Sequence, residues 1–323
     1  MSRINIGGQA VMEGVMMRNN DRYAVAVRKP DKQIEVKTNR CTGTSDRPAV
    51  CNLPIVRGVF SFVQSLTIGV KTLMYSAQFF EDEEEEAPKK EKKKKKEKTK
   101  EQESRAEKAE MAGTVTFSIV LAVGLFMLLP AWIASLLDAV IKSHVLIGLI
   151  EGVIRLAIFL GYVIAISRME DIKRTYMYHG AEHKTINCLE HGNELTVENV
   201  MQASRFHKRC GTSFLFIVMI VSILVFMCIT VDAMWLRLLL RVLLVPVIAG
   251  ISYEFIRFAG NSESWIANLL SKPGLLIQRL TTKEPTEDMV EVAIMEMRGY
   301  EVAQKYVRYR YKRELTRKSN TTD

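Results

Sequence analysis

His179, Gly180, Ala181, Glu182 and His183 read H-x-x-E-H, and no other run in the chain is better suited to chemistry. On a helix the two histidines are four apart and share one face. Two imidazoles so placed can grip a metal such as zinc and leave positions for further ligands and a water. Glu182, next to the second histidine, is placed to take a proton from that water. The chemistry expected is metal-assisted hydrolysis, with a divalent metal, zinc by preference, as cofactor and Glu182 as the catalytic base.

The rest of the shell must come from elsewhere in the chain. Segment 167–211 holds His179, His183, His191 and His207 together with Cys188 and Cys210. His207 and Cys210 form H-x-x-C, three apart and on one face if helical. A first shell of His179 and His183 with His207 or Cys210 suits zinc, which accepts imidazole and thiolate together. The H-x-x-E-H letters also mark inverted zinc metallopeptidases. There a downstream glutamate completes the site, and Glu254 lies in the right direction along the chain, with Glu190, Glu194 and Glu198 as nearer rivals. Histidines also serve as polar caps at a membrane interface. A structural metal would need the same ligands and no base.

The elements that must position these residues are mostly apolar helices. Mean hydropathy is close to zero only because apolar and highly charged blocks average out. Four segments are about long enough to cross a bilayer as helices: Gly113 to Leu137, Val145 to Ile166, Thr212 to Val231 and Leu238 to Phe258. The connections Asp138 to His144 and Asp232 to Arg237 are short, so two helical hairpins are expected. Segment 167–211 carries Arg168, Lys173, Arg174, Lys184, Arg205, Lys208 and Arg209, and the C-terminal region is also basic. The positive-inside rule puts both in the cytoplasm with the N-terminus. Within the spans, Glu151 and Arg155 are expected to satisfy each other four residues apart, and Arg241 to snorkel outward.

Outside the spans, Tyr23 to Arg28 and Gln33 to Thr38 predict a hairpin around Lys29-Pro30-Asp31-Lys32. The glycine-rich run Gly7 to Arg18 matches no nucleotide-binding fingerprint, and its Glu13 and Arg18 are candidates to reach the loop site. Ile55 to Tyr75, interrupted by Arg57, Gln64 and Lys71, reads as a helix in the interface or packed on the bundle. Pro54 is placed to open it. Glu81 to Glu110 is a charged linker without an apolar face. Trp265, Ile266, Leu269 and Leu270 begin an amphipathic helix that Pro273-Gly274 should break, Thr286 can cap another, and Arg308 to Asp323 form a basic tail. The five cysteines make no C-x-x-C pair and are expected to be reduced thiols. No aromatic-rich basic module points to nucleic acid. The first residues lack the apolar core of a cleavable leader, so an internal segment is expected to direct insertion.

The organisation that follows is a predominantly α-helical polytopic membrane protein. It has an N-terminal cytoplasmic β-rich region (1–53), an amphipathic or interfacial helix (54–80), a linker (81–110), a four-helix membrane region (111–258) and C-terminal cytoplasmic amphipathic helices (259–323). Five motifs carry a wider likeness: Gly7 to Arg18, Pro54-Ile55-Val56-Arg57-Gly58, Tyr178 to Lys184, His207 to Phe214 and Tyr253-Glu254-Phe255-Ile256-Arg257. Together they resemble the YqhQ-like family of bacterial membrane proteins over nearly the whole chain. The resemblance implies a multi-pass protein of the bacterial inner membrane, of a family described as metal-dependent enzymes of unknown substrate. Expected partners are the lipid bilayer and either a peptide substrate or a membrane-protein client. In the client case the chain would be a non-catalytic insertion or assembly factor, with a structural metal or none.

The charge distribution predicts opposite sides of the membrane for Lys142 and Lys184. Topology reporters fused at the two positions should give opposite signals, and equal signals would contradict the four-span arrangement.

Overall fold

The computed structural model describes residues 6–19, 21–43, 46–80, 113–137, 140–229, 231, 234–262 and 264–299. The charged linker and the basic tail expected from the sequence lie outside them, and so do parts of the two short connections. The described residues fall into two compact units. One is drawn from the residues before Glu81, Ala165–Val218 and those from Ala249 on; the other from those of 82–164 and Met219–Ile248.

The first unit contains an antiparallel meander of four strands in the order β1-β2-β3-β4: β1 Ile6–Val11, β2 Gly14–Asn19, β3 Arg22–Arg28 and β4 Ile34–Arg40. The hairpin expected from Tyr23 to Thr38 is β3–β4, paired from Arg28↔Ile34 to Arg22↔Arg40. The glycine-rich run is a second hairpin, with Val11 opposite Gly14 and Met12-Glu13 at the turn, where Glu13 takes φ 51°. Successive residues serve opposite faces. Val15, Met17 and Ala26 enter one core; Met16, Val25 and Val27 enter the other. Both faces are covered, so β2 and β3 read as continuous apolar runs instead of alternating ones.

One face packs on α1, Val56–Ala77, through Ile68, with Tyr75 and Phe79 at the edge. Pro54 precedes α1, and Ile55 stands at its N-cap. The helix leaves Val63, Leu66, Val70 and Leu73 exposed. The other face packs on α4, Glu170–His191, and α9, Glu287–Gly299, through Tyr178, Ala181, Ile186, Met289, Val290, Ala293 and Met297. Thr286 directly precedes α9, and Glu287 and Asp288 sit where its dipole favours negative charge.

The apolar helices are α2 over Gly113–Ser135, α3 His144–Ile166, α6 Gly211–Met227 and α7 Met234–Asn261. Short α5, Val197–Gln202, follows α4, with the Thr196 hydroxyl accepting from Asn199 N–H at its start. By length and composition three are able to cross a membrane: Gly113–Ser135, Val145–Ile166 and Leu239–Asn261. The segment expected from Thr212 to Val231 is helical only to Met227. Its 17 residues rise about 26 Å, short of a full hydrocarbon thickness. α8, Trp265–Thr281, runs through Pro273 without the expected break. Gly274 packs there against Ser213, and a Cβ would come within 2.7 Å of its Cβ. Burial on that side holds the helix together across the hydrogen bond that proline removes.

In the second unit, Phe126 of α2 meets Phe159 and Tyr162 of α3 at ring separations of 6.2 and 5.5 Å. Gly152 of α3 packs against Ile223 of α6. Glu151 pairs with Arg155 at 2.6 Å as expected. Arg241 does not snorkel outward. It turns inward and donates to Glu151 at 2.5 Å, because a carboxylate at its own level satisfies it better than a long reach to water.

Gly180 is where the fold permits least change. The 281–285 segment crosses α4 so closely that a Cβ at Gly180 would stand 2.0 Å from the Lys283 carbonyl oxygen, while Lys283 N–H donates to the Tyr176 carbonyl. Gly180→Ala should cost about 1–3 kcal/mol by overpacking, read as a lower melting temperature of the detergent-purified full chain.

Candidate metal centre

α4 is polar by composition yet buried at Tyr178 and from Gly180 to Leu189, with His179 half-buried. Its apolar positions face the sheet and α9, so the polar ones need partners elsewhere. The 201–206 segment supplies them as backbone carbonyls. Lys184 Nζ donates to Met201 and Ala203 at 2.8 and 2.9 Å, His183 Nδ1 to Arg205 at 2.6 Å, and Asn187 Nδ2 to Ser204 and Phe206 at 2.6 and 3.0 Å. On the neighbouring turn, His179 Nδ1 donates to Thr281 O at 2.9 Å. A carbonyl only accepts, so each histidine carries its proton on Nδ1 and leaves Nε2 as a lone-pair donor.

Those two Nε2 atoms converge on one sulfur. His179 Nε2, His183 Nε2 and Cys210 Sγ qualify together as a possible metal-holding group, their ligand atoms within 4.8 Å of one another; Cys210 Sγ is 3.3 Å from His179 Nε2. His183 Nε2 is buried and faces no group other than the Cys210 sulfur that could bond it. Thr212 N–H donates to the sulfur at 3.4 Å, with its hydroxyl 3.1 Å away. Two imidazoles with fixed tautomers and one thiolate form a donor set that zinc accepts. Burial opposes charge on His179, but the Cys210 sulfur and then Glu182 outweigh it, and its pKa rises to about 9. Burial likewise works against the Cys210 thiolate, yet His179 and His183 hold the thiol well below its ordinary value.

Glu182 is also buried, and Oε2 has no partner. Gly8 N–H of β1 bonds its carboxylate, and a Cβ on Gly8 would lie 2.7 Å from Oε1. Burial raises its pKa, against the pull of His183 and His179.

The other residues expected at the site take different positions. His207 and Cys210 do not share a helix face, because the chain is irregular from Ala203 to Cys210. His207 Nε2 instead meets Glu190 Oε2 at 3.4 Å, and Arg209 also binds Glu190. Gln278 brackets the His207 backbone on both N–H and C=O. Burial lowers the pKa of His207. Glu254 is held by Arg57 of α1 through both oxygens, the Nε contact being 2.6 Å, and lies outside the His–His–Cys group. Glu13 clamps the outer side of α4, accepting from Arg174 Nη2 at 2.6 Å and Tyr178 Oη at 3.2 Å, and Arg18 donates to Gln64. His191 Nδ1 bonds the Asn187 carbonyl of its own helix, and Cys188 lies in the apolar core. Sequence reasoning missed Gly8, Thr281, Arg205 and Thr212. The first two of these act through Gly8 N–H and Thr281 C=O, and Arg205 also acts through its carbonyl, which leaves no side-chain signature.

Residues 53–302 match the family described as "Protein of unknown function (DUF1385)", and the chain belongs to that family. A Bacillus subtilis (strain 168) relative named "Uncharacterized protein YqhQ" is 35% identical over 299 residues, 89% of this chain and 89% of its own. No solved structure matches.

Glu296 of α9 is wholly buried, its carboxylate set against the Met17 backbone. Burial holds its pKa well above 4.5; the Met17 backbone opposes this, and Glu182 adds to the rise. A carboxyl whose pKa is raised on folding stabilises fully below its unfolded value and loses that contribution as pH climbs toward the folded one. Glu296→Gln stays neutral throughout, so its melting temperature should gain on the wild type's between about pH 5 and about pH 8. A difference independent of pH would contradict a protonated Glu296.

Proposed function

We propose that this member of the DUF1385 family is an integral membrane metalloprotein of the bacterial inner membrane, with a zinc-dependent hydrolytic site at the cytoplasmic face. The observation that carries the reading is that two buried acceptors, His183 Nε2, which faces only the Cys210 sulfur, and Glu182 Oε2, which has no partner, lie in the same group of side chains. Polar atoms are rarely left so inside a protein, and a metal on the nitrogen with a water donating to the carboxylate oxygen would account for both. His179, His183 and Cys210 would hold zinc, which supplies Lewis acidity when bound. Glu182 accepts a proton at Oε2 while Gly8 N–H keeps the carboxylate oriented. Thr281 and Arg205 hold the imidazoles in the required tautomer. Peptide bonds of membrane proteins are the substrate class that the H-x-x-E-H pattern favours.

The proposal includes the topology of four spans with both termini and the 167–211 segment in the cytoplasm. α6 would then be the shortest crossing, and local bilayer thinning can accommodate it.

Burial of His183 and Cys210 favours a second reading, a structural zinc in a non-catalytic assembly factor, because structural sites are closed. One experiment tests the metal and separates the readings. Metal content of the purified chain should be close to one zinc per chain, fall at least about tenfold in His183→Ala and Cys210→Ala, and persist in Glu182→Gln. Wild-type protein holding no more metal than His183→Ala would refute the metal. If Glu182→Gln keeps both its metal and cellular function, the structural reading replaces the hydrolytic one.

A further inference from the structure

α8 reverses the amphipathic order of a helix in water. Its buried positions recur at spacings of four and three and hold small or polar residues: Ala267, Ser271, Gly274, Gln278 and Thr281, with Ile277 at their edge. That face meets protein. Gly274 packs on Ser213 of α6, and Gln278 Nε2 donates to the Ser213 hydroxyl and the His207 carbonyl at 2.8 Å each. The opposite face carries Trp265, Ile266, Leu269, Leu270 and Leu276, all exposed, Trp265 at 73% and Leu276 at 56%. A helix lying on a domain in water turns such side chains inward, because their burial is what holds it there. Large apolar groups outside and small polar ones inside call for an apolar medium around α8.

The neighbouring contacts identify that medium. α6 begins at Gly211 and α7 ends at Asn261. A Cβ on Gly260 would lie 2.5 Å from Arg209 Cγ, so the last turn of α7 stands beside the start of α6. Three residues then lead from Asn261 to Trp265, which keeps the start of α8 within about 14 Å of the end of α7. The Ser213 contact sets the middle of α8 against the first turn of α6. α8 thus runs past the ends of two apolar helices, the level at which hydrocarbon gives way to headgroups. It does not cross the membrane itself, with 17 residues that include Lys272, Gln278 and Arg279. Lys272 and Arg279, seven apart, share the flank between the two faces. From there their stems cover apolar surface while their charges reach lipid phosphates. Trp265 adds the ring type that favours this depth.

We propose that α8 lies in the plane of the membrane, with the face bearing Trp265, Leu269 and Leu276 among the upper acyl chains and Lys272 and Arg279 at the headgroup phosphates. The partner of this surface is lipid. The inference rests on the apolar helices being membrane spans and is independent of the metal. α8 ends at Thr281, whose carbonyl accepts from His179 Nδ1, so the lipid that seats the helix borders the candidate centre.

Trp132, Trp235 and Trp265 are the three tryptophans of the chain. The full chain with Trp132→Phe and Trp235→Phe is reconstituted in phosphatidylcholine vesicles. Its Trp265 emission is followed with lipids brominated near the headgroup end or near the methyl end of the acyl chain. Shallow bromines should remove about half of the emission or more and deep ones less, and acrylamide should quench at least about threefold less than it quenches free tryptophan, as for a ring about 5–10 Å into the boundary. The difference between wild type and Trp265→Phe gives the same quantity should the double variant fail to fold. Quenching by acrylamide without quenching by bromolipid puts α8 in water and overturns the proposal. Protection from both means that protein covers the face, and stronger quenching by deep bromines means that the helix is not in the interface; either result overturns it equally. A companion chain with Trp132→Phe and Trp265→Phe reports insertion through Trp235. Quenching of Trp235 alone refutes the α8 proposal, whereas quenching of neither ring refutes the spans and the proposal with them.

Discussion

Two hydrogen bonds control the candidate centre: His179 Nδ1–H to the Thr281 carbonyl and His183 Nδ1–H to the Arg205 carbonyl. They fix the tautomers, turn both Nε2 lone pairs toward Cys210, and tie two separated stretches of chain to one face of α4. Each needs a backbone carbonyl brought against a helix. Gly180 admits the 281–285 segment, and Lys184 and Asn187 hold the 201–206 segment by its carbonyls. The sheet and α9 supply the apolar burial on the opposite face. The Glu13 turn, pinned to Arg174 and Tyr178, keeps β1 against α4, so that Gly8 meets Glu182.

This arrangement explains why a helix of unfavourable mean hydropathy is buried. An unsatisfied buried donor or acceptor costs about 1–3 kcal/mol, so a polar helix enters a core only where its groups are paired one by one. α4 meets that condition at Lys184, Asn187 and Nδ1 of both histidines. It fails at His183 Nε2 and Glu182 Oε2. Well-paired surroundings make those two exceptions informative, because both are acceptors and the groups packed round this part of α4 are carbonyls, which cannot donate to them.

Much of this was legible in the chain. The i,i+4 histidines fell on a helix, the β3–β4 hairpin followed its turn residues, and three apolar helices of spanning length stood out by hydropathy. The β1–β2 hairpin was hidden because a sheet covered on both faces does not alternate. His207 and Cys210 looked equivalent, since spacing implies a shared face only on a helix, and the chain there is irregular. Glu254 gave no sign of its attachment to Arg57, a pairing 197 residues apart. Pro273 was read as a break, but packing of Gly274 on Ser213 carried the helix through. Local rules worked where local geometry decides, and failed where long-range backbone contacts do.

The most direct test of the central claim is the coordination shell itself. Zinc K-edge X-ray absorption on the zinc-loaded full chain should show one sulfur at about 2.3 Å and two imidazole nitrogens at about 2.0–2.1 Å, with the sulfur lost in Cys210→Ser. A shell of oxygen and nitrogen alone in the wild type, or a sulfur that survives Cys210→Ser, would contradict a centre built from His179, His183 and Cys210.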